Sequence, residues 1–302
     1  MSRRTIAVIN HKGGVGKSTI AANLSGLLAA KGARVLLVDL DPQGNQRVLL
    51  GYRGSPHDDA GWGVVQAVYA DEPFTVLRDI RPRLDVIPGG TKLDALTAIA
   101  HTPAATELPG GGVPGSFAAK LEQLAAGYDF VFLDCPPRIT LLQEAALRAA
   151  RYLLIPVTTD ALAWDGITGV GPMVRKAREH NPALTYLGVV IFKSMATASA
   201  YRGSTREKLG ELGDTVPLFE AYIRHSEAAA AEASTRGQLA HEVAADAVTL
   251  TRARLAALRK RATGQDVPLP ATLTKTSRSV AHDYEQLMAE LISRINAHET
   301  GE

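Results

Sequence analysis

The residues of this sequence best suited to chemistry stand in one run, His11-Lys12-Gly13-Gly14-Val15-Gly16-Lys17-Ser18-Thr19. Its glycines let backbone N–H groups curl inward around phosphate oxygens, and Lys17 is placed to reach the β- and γ-phosphates of a nucleotide. The Ser18 hydroxyl suits Mg²⁺. Three acids accompany the run. Asp39 and Asp41 lie in Asp39-Leu40-Asp41-Pro42-Gln43-Gly44-Asn45, and Asp134 precedes Cys135-Pro136-Pro137. An Asp that closes an apolar strand in a chain with a phosphate loop suits Mg²⁺ coordination, usually by way of water. The chemistry implied is phosphoryl transfer, in which positioning and charge neutralisation dominate over covalent work.

These residues need a frame. Ile6-Ala7-Val8-Ile9 precedes the glycines and a helical pattern, Ile20 to Ala30, follows them, so strand, turn and helix start are in the right order. Lys31-Gly32 ends that helix with a basic residue and a breaker. Arg34–Leu40, Tyr128–Asp134, Tyr152–Thr158 and Leu187–Lys193 are nearly continuous apolar runs, the mark of parallel strands covered on both faces. Leu84–Pro88 and Thr215–Ile223 add further strands. Helical stretches are expected at Val64–Tyr69, Thr91–His101 and Ser116–Ala126, with 102–115 a flexible Gly/Pro loop. The alternation predicts an α/β fold: a doubly wound, mostly parallel sheet with helices on both faces and extra C-terminal helices. Ligands of such sheets gather at the C-terminal strand edge, where all three acids lie.

The glycine run is a variant of the standard phosphate loop, with His11 where glycine is usual and Lys12 added. It resembles the deviant Walker A motif of the ParA/MinD family of P-loop ATPases, in which a signature lysine precedes GGVGK[ST], and most closely the ParA/Soj-type partition ATPases. The string around Asp134 resembles that family's Walker B, and DLDPQGN resembles its switch I segment. The resemblance implies that Gly13, Gly14, Val15, Gly16, Lys17, Ser18 and Thr19 hold ATP, and that Ser18, Asp39 and Asp134 serve Mg²⁺. It further implies that Asp41 orients the attacking water, with Asp39 supporting Mg²⁺ or Lys12. Lys12, one residue before the glycines, is poorly placed to share the phosphates of Lys17. By the resemblance it reaches across an ATP-dependent homodimer to the partner's nucleotide, as an arginine finger does.

The resemblance also implies non-specific double-stranded DNA binding, a ParB-type centromere-binding partner that stimulates weak ATP hydrolysis, and a nucleoid-associated, cytoplasmic protein moving a chromosome or plasmid. Ile223-Arg224-His225-Ser226-Glu227-Ala228 resembles the family's VRxSEA string, making Arg224 one DNA candidate. Residues 251–278 supply others: Arg252, Arg254, Arg259, Lys260 and Arg261, with Lys275 and Arg278, stand against one acid, Asp266. Such cations meet phosphates without reading sequence. The acid-and-arginine pattern many chromosomal members carry is missing from 192–203, where Lys193, Arg202 and Arg206 are the available substitutes.

The chain reads as one ATPase domain over 1–302, with 251–278 a basic insertion before a final helix, Ser279–Ala297. That helix carries Val280, Tyr284, Leu287, Met288, Leu291, Ile292 and Ile295 as one apolar stripe. The 46% hydrophobic content supports a sizeable core, and a net charge of +2 demands that any nucleic-acid footprint be local. The lone cysteine, Cys135, reads as a small core residue in a reducing compartment. No apolar run approaches the ~18 residues of a membrane span, and no signal-peptide apolar region precedes the first strand. A MinD-like, membrane-cycling alternative needs a basic amphipathic terminal helix, whereas this one carries Asp283, Glu285, Glu290, Glu299 and Glu302. A metabolic enzyme of the same superfamily is a third reading, and one cysteine excludes a nitrogenase-type iron protein.

Overall fold

The computed structural model describes residues 4–138, 140–158, 163–194, 203, 216–263, 265–269 and 276–301. Its strands are β1 (Thr5–Val8), β2 (Val35–Asp39), β3 (Leu77–Arg81), β4 (Leu84–Ile87), β5 (Phe130–Asp134), β6 (Tyr152–Val157), β7 (Thr185–Ser194) and β8 (Leu218–Arg224). They form one sheet in the order β3-β4-β2-β5-β1-β6-β7-β8. Every pairing is parallel except β3 with β4. The central strands β1, β2, β5 and β6 are buried along their whole length, so their near-continuous apolar sequences follow from having helices on both sides.

One face of the sheet packs α3 (Trp62–Tyr69), α4 (Asp94–Ala100), α5 (Val113–Ala125), α6 (Thr140–Ala149) and α7 (Ala163–Arg178) over Ala7, Leu36, Val38, Val131 and Leu153. The other packs α1 (Lys17–Ala30), α9 (Ala240–Ala262) and α10 (Ser277–Thr300) over Ile6, Val8, Leu37, Phe132 and Leu154. The helices α2 (Gln46–Leu49) and α8 (Glu227–Arg236) pack against each other. Doubly wound, mostly parallel architecture is what the sequence pattern predicts. The apolar stripe of the last helix is also as expected: Tyr284, Leu287, Met288, Leu291 and Ile295 are buried, with Val280 and Ile292 packed at the margin.

Three elements differ from expectation. Residues 102–115 are not all loop: Pro103–Glu107 form a 3₁₀ turn and α5 begins at Val113, led in by Gly110, Gly111 and Gly112 at positive φ. The strand β3 has no apolar alternation to announce it, because Leu77-Arg78-Asp79-Ile80-Arg81 is an exposed, antiparallel edge with only Leu77 buried. The basic stretch opens as the last half of α9, a helix of 23 residues, rather than as a separate insertion. Arg202, Arg206 and Lys275 lie outside the described residues.

The opposite edge, β8, has backbone N–H groups that need partners. Two acids of α10 supply them. Glu290 accepts the N–H groups of Glu220 and Ala221 at 3.0 and 2.8 Å. Asp283 accepts the Arg224 N–H at 3.0 Å and grips its guanidinium at Nε and Nη2, both 2.7 Å. Arg294 adds bonds to the carbonyls of Leu187 and Leu218. The acids of the last helix therefore close the sheet edge. Asp283→Ala is expected to destabilise the fold by about 2 kcal/mol, because it strips charge-assisted hydrogen bonds from a buried carboxylate's partners. Urea unfolding midpoints measure it, and an unchanged midpoint would mean that Asp283 does not clamp the edge.

Candidate nucleotide and magnesium site

Strand order decides where the chemistry sits. Because β1 lies between β5 and β6 while the chain runs first to β2, the C-terminal ends of β1, β2 and β5 meet at a topological switch point. In the pairing register Asp39 lies opposite Asp134, and Val8 opposite Asp134 on the other side. The loop that leaves β1 therefore rises beside two carboxylates.

That loop is shaped by four bonds and contacts. Asn10 is buried, donates to the Pro156 carbonyl at 2.7 Å and accepts the Lys12 N–H at 2.8 Å. The ammonium of Lys17, only 5% exposed, donates to the Lys12 carbonyl at 2.8 Å. The Lys12 peptide is thus held from both sides. Gly14 and Gly16 take φ of +75° and +89°, where a side chain is strained. At Gly16 a Cβ would also meet the Phe192 ring at 2.5 Å, so this glycine is required by space as well as by angle. Gly13 and Gly14 are exposed, Val15 is buried beneath them, and no side chain caps the N-terminus of α1. The open donors at the N-terminus of a 14-residue helix behind a glycine loop make an anion seat.

The acids are arranged around a residue the sequence reading did not single out, Gln46. It is fully buried. Its N–H donates to Asp39 Oδ2 at 3.2 Å, and its side-chain amide donates to Asp134 Oδ2 at 2.8 Å and to the Ser18 carbonyl at 3.0 Å. Gln46 therefore ties the segment after β2 to the acid of β5 and to the phosphate loop. No local pattern marks it, since it follows the recognisable DLDPQGN string by one position and its partners are 7, 28 and 88 residues away. Asp39 spends its other oxygen on the Asp41 N–H at 2.9 Å, and Gly89 packs so close that a Cβ there would reach the Asp39 carboxyl at 2.6 Å. Asp41 accepts the Gln43 N–H at 2.9 Å, an Asx-type turn that orients its carboxylate.

Burial dominates the electrostatics. It drives the Asp39 carboxyl well above the ordinary carboxylate value, with the nearby Asp134 adding to the rise. It pushes Asp134 up to about 7, against the opposing effects of the Gln46 amide, the Ser18 hydroxyl and Lys17. Asp41 is raised for the same reason, and burial lowers Lys17 despite the neighbouring acids. A cation among these oxygens would reverse that cost. Asp134 Oδ1 is buried with no hydrogen-bond partner among the described residues, as is Gln46 Oε1. An unsatisfied carboxylate oxygen beside a serine hydroxyl fits a hard cation. Among the described residues no three His, Cys, Asp or Glu side chains form an all-protein metal cage. Mg²⁺ sites that borrow phosphate oxygens need only one or two carboxylates.

The sequence-predicted residues fall into two groups. Lys12, Gly13, Gly14, Val15, Gly16, Lys17, Ser18, Asp39, Asp41 and Asp134 come together at this strand edge, and Thr19 starts the wall behind it. The DNA candidates lie elsewhere. Arg224 is bound by Asp283 with 40% of its side chain exposed. Arg252, Arg259, Lys260 and Arg261 are exposed along the distal half of α9, with Arg254 half-buried. Cys135 is a buried core residue, its thiol pushed up by burial.

The profile of a family described as an AAA domain matches residues 3–186. The chain is 37% identical over 189 residues to the chromosome-partitioning ATPase Soj of Thermus thermophilus, spanning 62% of this chain and 68% of that one. It is 32% identical over 232 residues to the chromosome partitioning protein ParA of Caulobacter vibrioides, spanning 74% and 83%. Among solved structures it is similar to cobyrinic acid a,c-diamide synthase from Mycobacterium smegmatis with bound ADP and magnesium. There the TM-score is 0.61 at 26% identity, over 89% of this chain and 99% of that one. No described helix is long and apolar enough to cross a membrane.

Both buried carboxyls bind protons more tightly in the folded chain than in the unfolded one. Their stabilising contribution is complete below about pH 4, the unfolded value, and is lost as pH rises through about 7 for Asp134. The nucleotide-free protein is therefore expected to lose thermal stability between about pH 4 and about pH 7, and Asp134→Asn to lose less. Parallel melting curves for the two proteins would contradict this assignment.

Proposed function

Because the chain belongs to the family of P-loop ATPases that includes the Soj and ParA partition proteins, we propose that it is an ATP-driven DNA-partitioning switch. The observation that carries the reading is the joint burial of Asp39 and Asp134 on Gln46, directly beside an uncapped glycine loop. ATP would seat its phosphates on Gly13–Thr19, and Ser18 and Asp134 would hold Mg²⁺ with Asp39 behind them. Mg²⁺, when bound, supplies charge neutralisation at the phosphate oxygens. Lys17 leaves the Lys12 carbonyl for the β- and γ-phosphates. That exchange frees the loop, and Lys12 extends towards the nucleotide of a second copy. Asp41, oriented by its turn, positions the attacking water. Hydrolysis then removes the contacts that favour the closed dimer.

The DNA surface is assigned to α9, where Arg252, Arg259 and Lys260 are exposed and make no ion pair among the described residues. Arg254 and Arg261 extend the same helix. Arg224 contributes through the part of its guanidinium left open by Asp283. The cargo is a chromosome or plasmid, the stimulating partner a ParB-type protein, and the place of work the nucleoid in the cytoplasm. The membrane-cycling alternative is not favoured: Asp283 and Glu290 of the last helix are engaged in closing β8.

Binding to non-specific double-stranded DNA at fixed moderate salt tests the reading. Binding is expected with ATP and not with ADP or without nucleotide, and is expected to be lost in Lys17→Ala. Lys12→Ala should bind ATP yet fail to dimerise or to hold DNA. Reversing Arg252, Arg259 and Lys260 to Glu should weaken DNA binding without changing ATP-driven dimerisation, and should flatten its salt dependence. DNA binding equal in all nucleotide states, or absent in all of them, would overturn the proposal.

A further inference from the structure

The outer half of α9 leaves apolar side chains open to solvent. Its body-facing line is Val243, Leu250 and Ala257, of which Val243 and Ala257 are buried. A second line runs along another side of the helix: Val248, Thr251, Leu255, Leu258 and Ala262, at alternating spacings of three and four. That spacing is a heptad seam, with Val248, Leu255 and Ala262 at a and Thr251 and Leu258 at d. Leu255 and Leu258 are 53% and 44% exposed, the only exposed leucines among the described residues. Thr251 spends its hydroxyl on the Ala247 carbonyl at 2.7 Å, so it asks for no polar partner on the seam.

The charges beside the seam all have one sign. In the same register the flanking e and g positions are Arg252, Arg254, Arg259 and Arg261. Arg254 is half-buried, and Arg261 donates to the Val267 carbonyl at 2.8 Å, with Asp266 at 3.8 Å. Arg252 and Arg259, both on the e side, are exposed and make no ion pair among the described residues. The phosphates of DNA account for the arginines but not for the leucines between them. A second copy of α9 does not fit, because in either direction its flanking arginines would face arginines. An anionic bilayer does not fit either. A strict a/d seam is narrower than the apolar face of an interfacial helix, and α9 carries no Trp, Tyr or Phe. The complement of two leucines between rows of arginine is a helix with apolar residues at a and d and carboxylates at e and g.

We propose that the outer half of α9 is a docking site for an acidic amphipathic helix of another protein, paired with it as a short coiled coil. Leu255 and Leu258 enter between the partner's apolar residues, and Arg252 and Arg259 meet its carboxylates. The surface assigned to DNA uses Arg252, Arg259 and Lys260, so such a helix and DNA exclude one another. That exclusion rests on the DNA reading, whereas docking does not.

The test is fluorescence anisotropy with the full chain and a labelled peptide of about three heptads, with Leu at a and d and Glu at e and g. The Glu residues also keep the peptide from pairing with itself. Saturable one-to-one binding is expected. It should be roughly tenfold weaker or lost when Leu255→Gln and Leu258→Gln are combined, and likewise for a peptide with Lys in place of Glu. Both leucines are exposed, so the double variant should fold, and its melting curve checks that. It should keep the wild-type affinity for DNA in the ATP state, and DNA should displace the peptide from the wild-type chain. Peptide binding is read without DNA, so its failure and that of the DNA reading are separate results. No saturable binding, equal binding by the double variant, or equal binding of the Lys peptide would overturn the proposal. So would co-sedimentation with phosphatidylglycerol vesicles, or nucleotide-free self-association, that the double variant loses: the seam would then be a membrane face or a contact between copies.

Discussion

Two carboxylates, Asp39 and Asp134, stand opposite one another at the ends of adjacent strands, sealed from water. Like charges in that position oppose folding unless donors or a cation compensate them. The chain meets the requirement with Gln46, whose backbone reaches one acid and whose amide reaches the other. Since the same amide also holds the Ser18 carbonyl, the phosphate loop, the Mg²⁺-type acid and the start of α2 cannot move independently. Any cation or phosphate that changes this node is thereby felt along the segment from Asp39 to Leu49. This is how a site with little covalent chemistry of its own can act as a switch.

The far half of the molecule serves the same end by a different route. The last helix closes the β8 edge with Glu290 and Asp283 and stitches two strand carbonyls to Arg294, whose guanidinium lies 3.9 Å from the Phe219 ring centre. With that edge closed, α9 can run past the body and carry cations on an exposed surface. Its start is held by Asn23 of α1, which accepts the Ala240 N–H at 2.8 Å, and by the Arg81–Glu242 ion pair at 2.6 Å. The helix that presents the cations is therefore bolted to the helix that begins at the phosphate loop.

Much of this was legible in the sequence, and the limits have physical causes. The glycine run, its flanking strand and helix, and the strand-ending acids are local patterns, so β1, α1, Asp39 and Asp134 could be placed from them. The apolar stripe of α10 was likewise readable from its helical spacing. What escaped depends on partners distant in the chain. Gln46 acquires its meaning from the register of β2 against β5. The Arg224–Asp283 clamp joins residues 59 apart, so the sequence offers Arg224 as a DNA candidate without naming Asp283 as its partner. The strand β3 was invisible because an exposed antiparallel edge needs no apolar alternation, and because Asp79 and Arg83 turn at positive φ. Phe192 is a strand residue by its pattern, but the seat of its ring over Gly16 depends on how β7 lies beside the phosphate loop.

The central claim is that the buried acids are arranged to share Mg²⁺ with a bound nucleotide. Thermal unfolding of the wild-type chain with ATP and Mg²⁺, with ATP in EDTA, and with Mg²⁺ alone tests it directly. A large rise in midpoint is expected only when ATP and Mg²⁺ are present together. An equal rise with ATP in EDTA would contradict the claim, since the acids would then have no cation to hold.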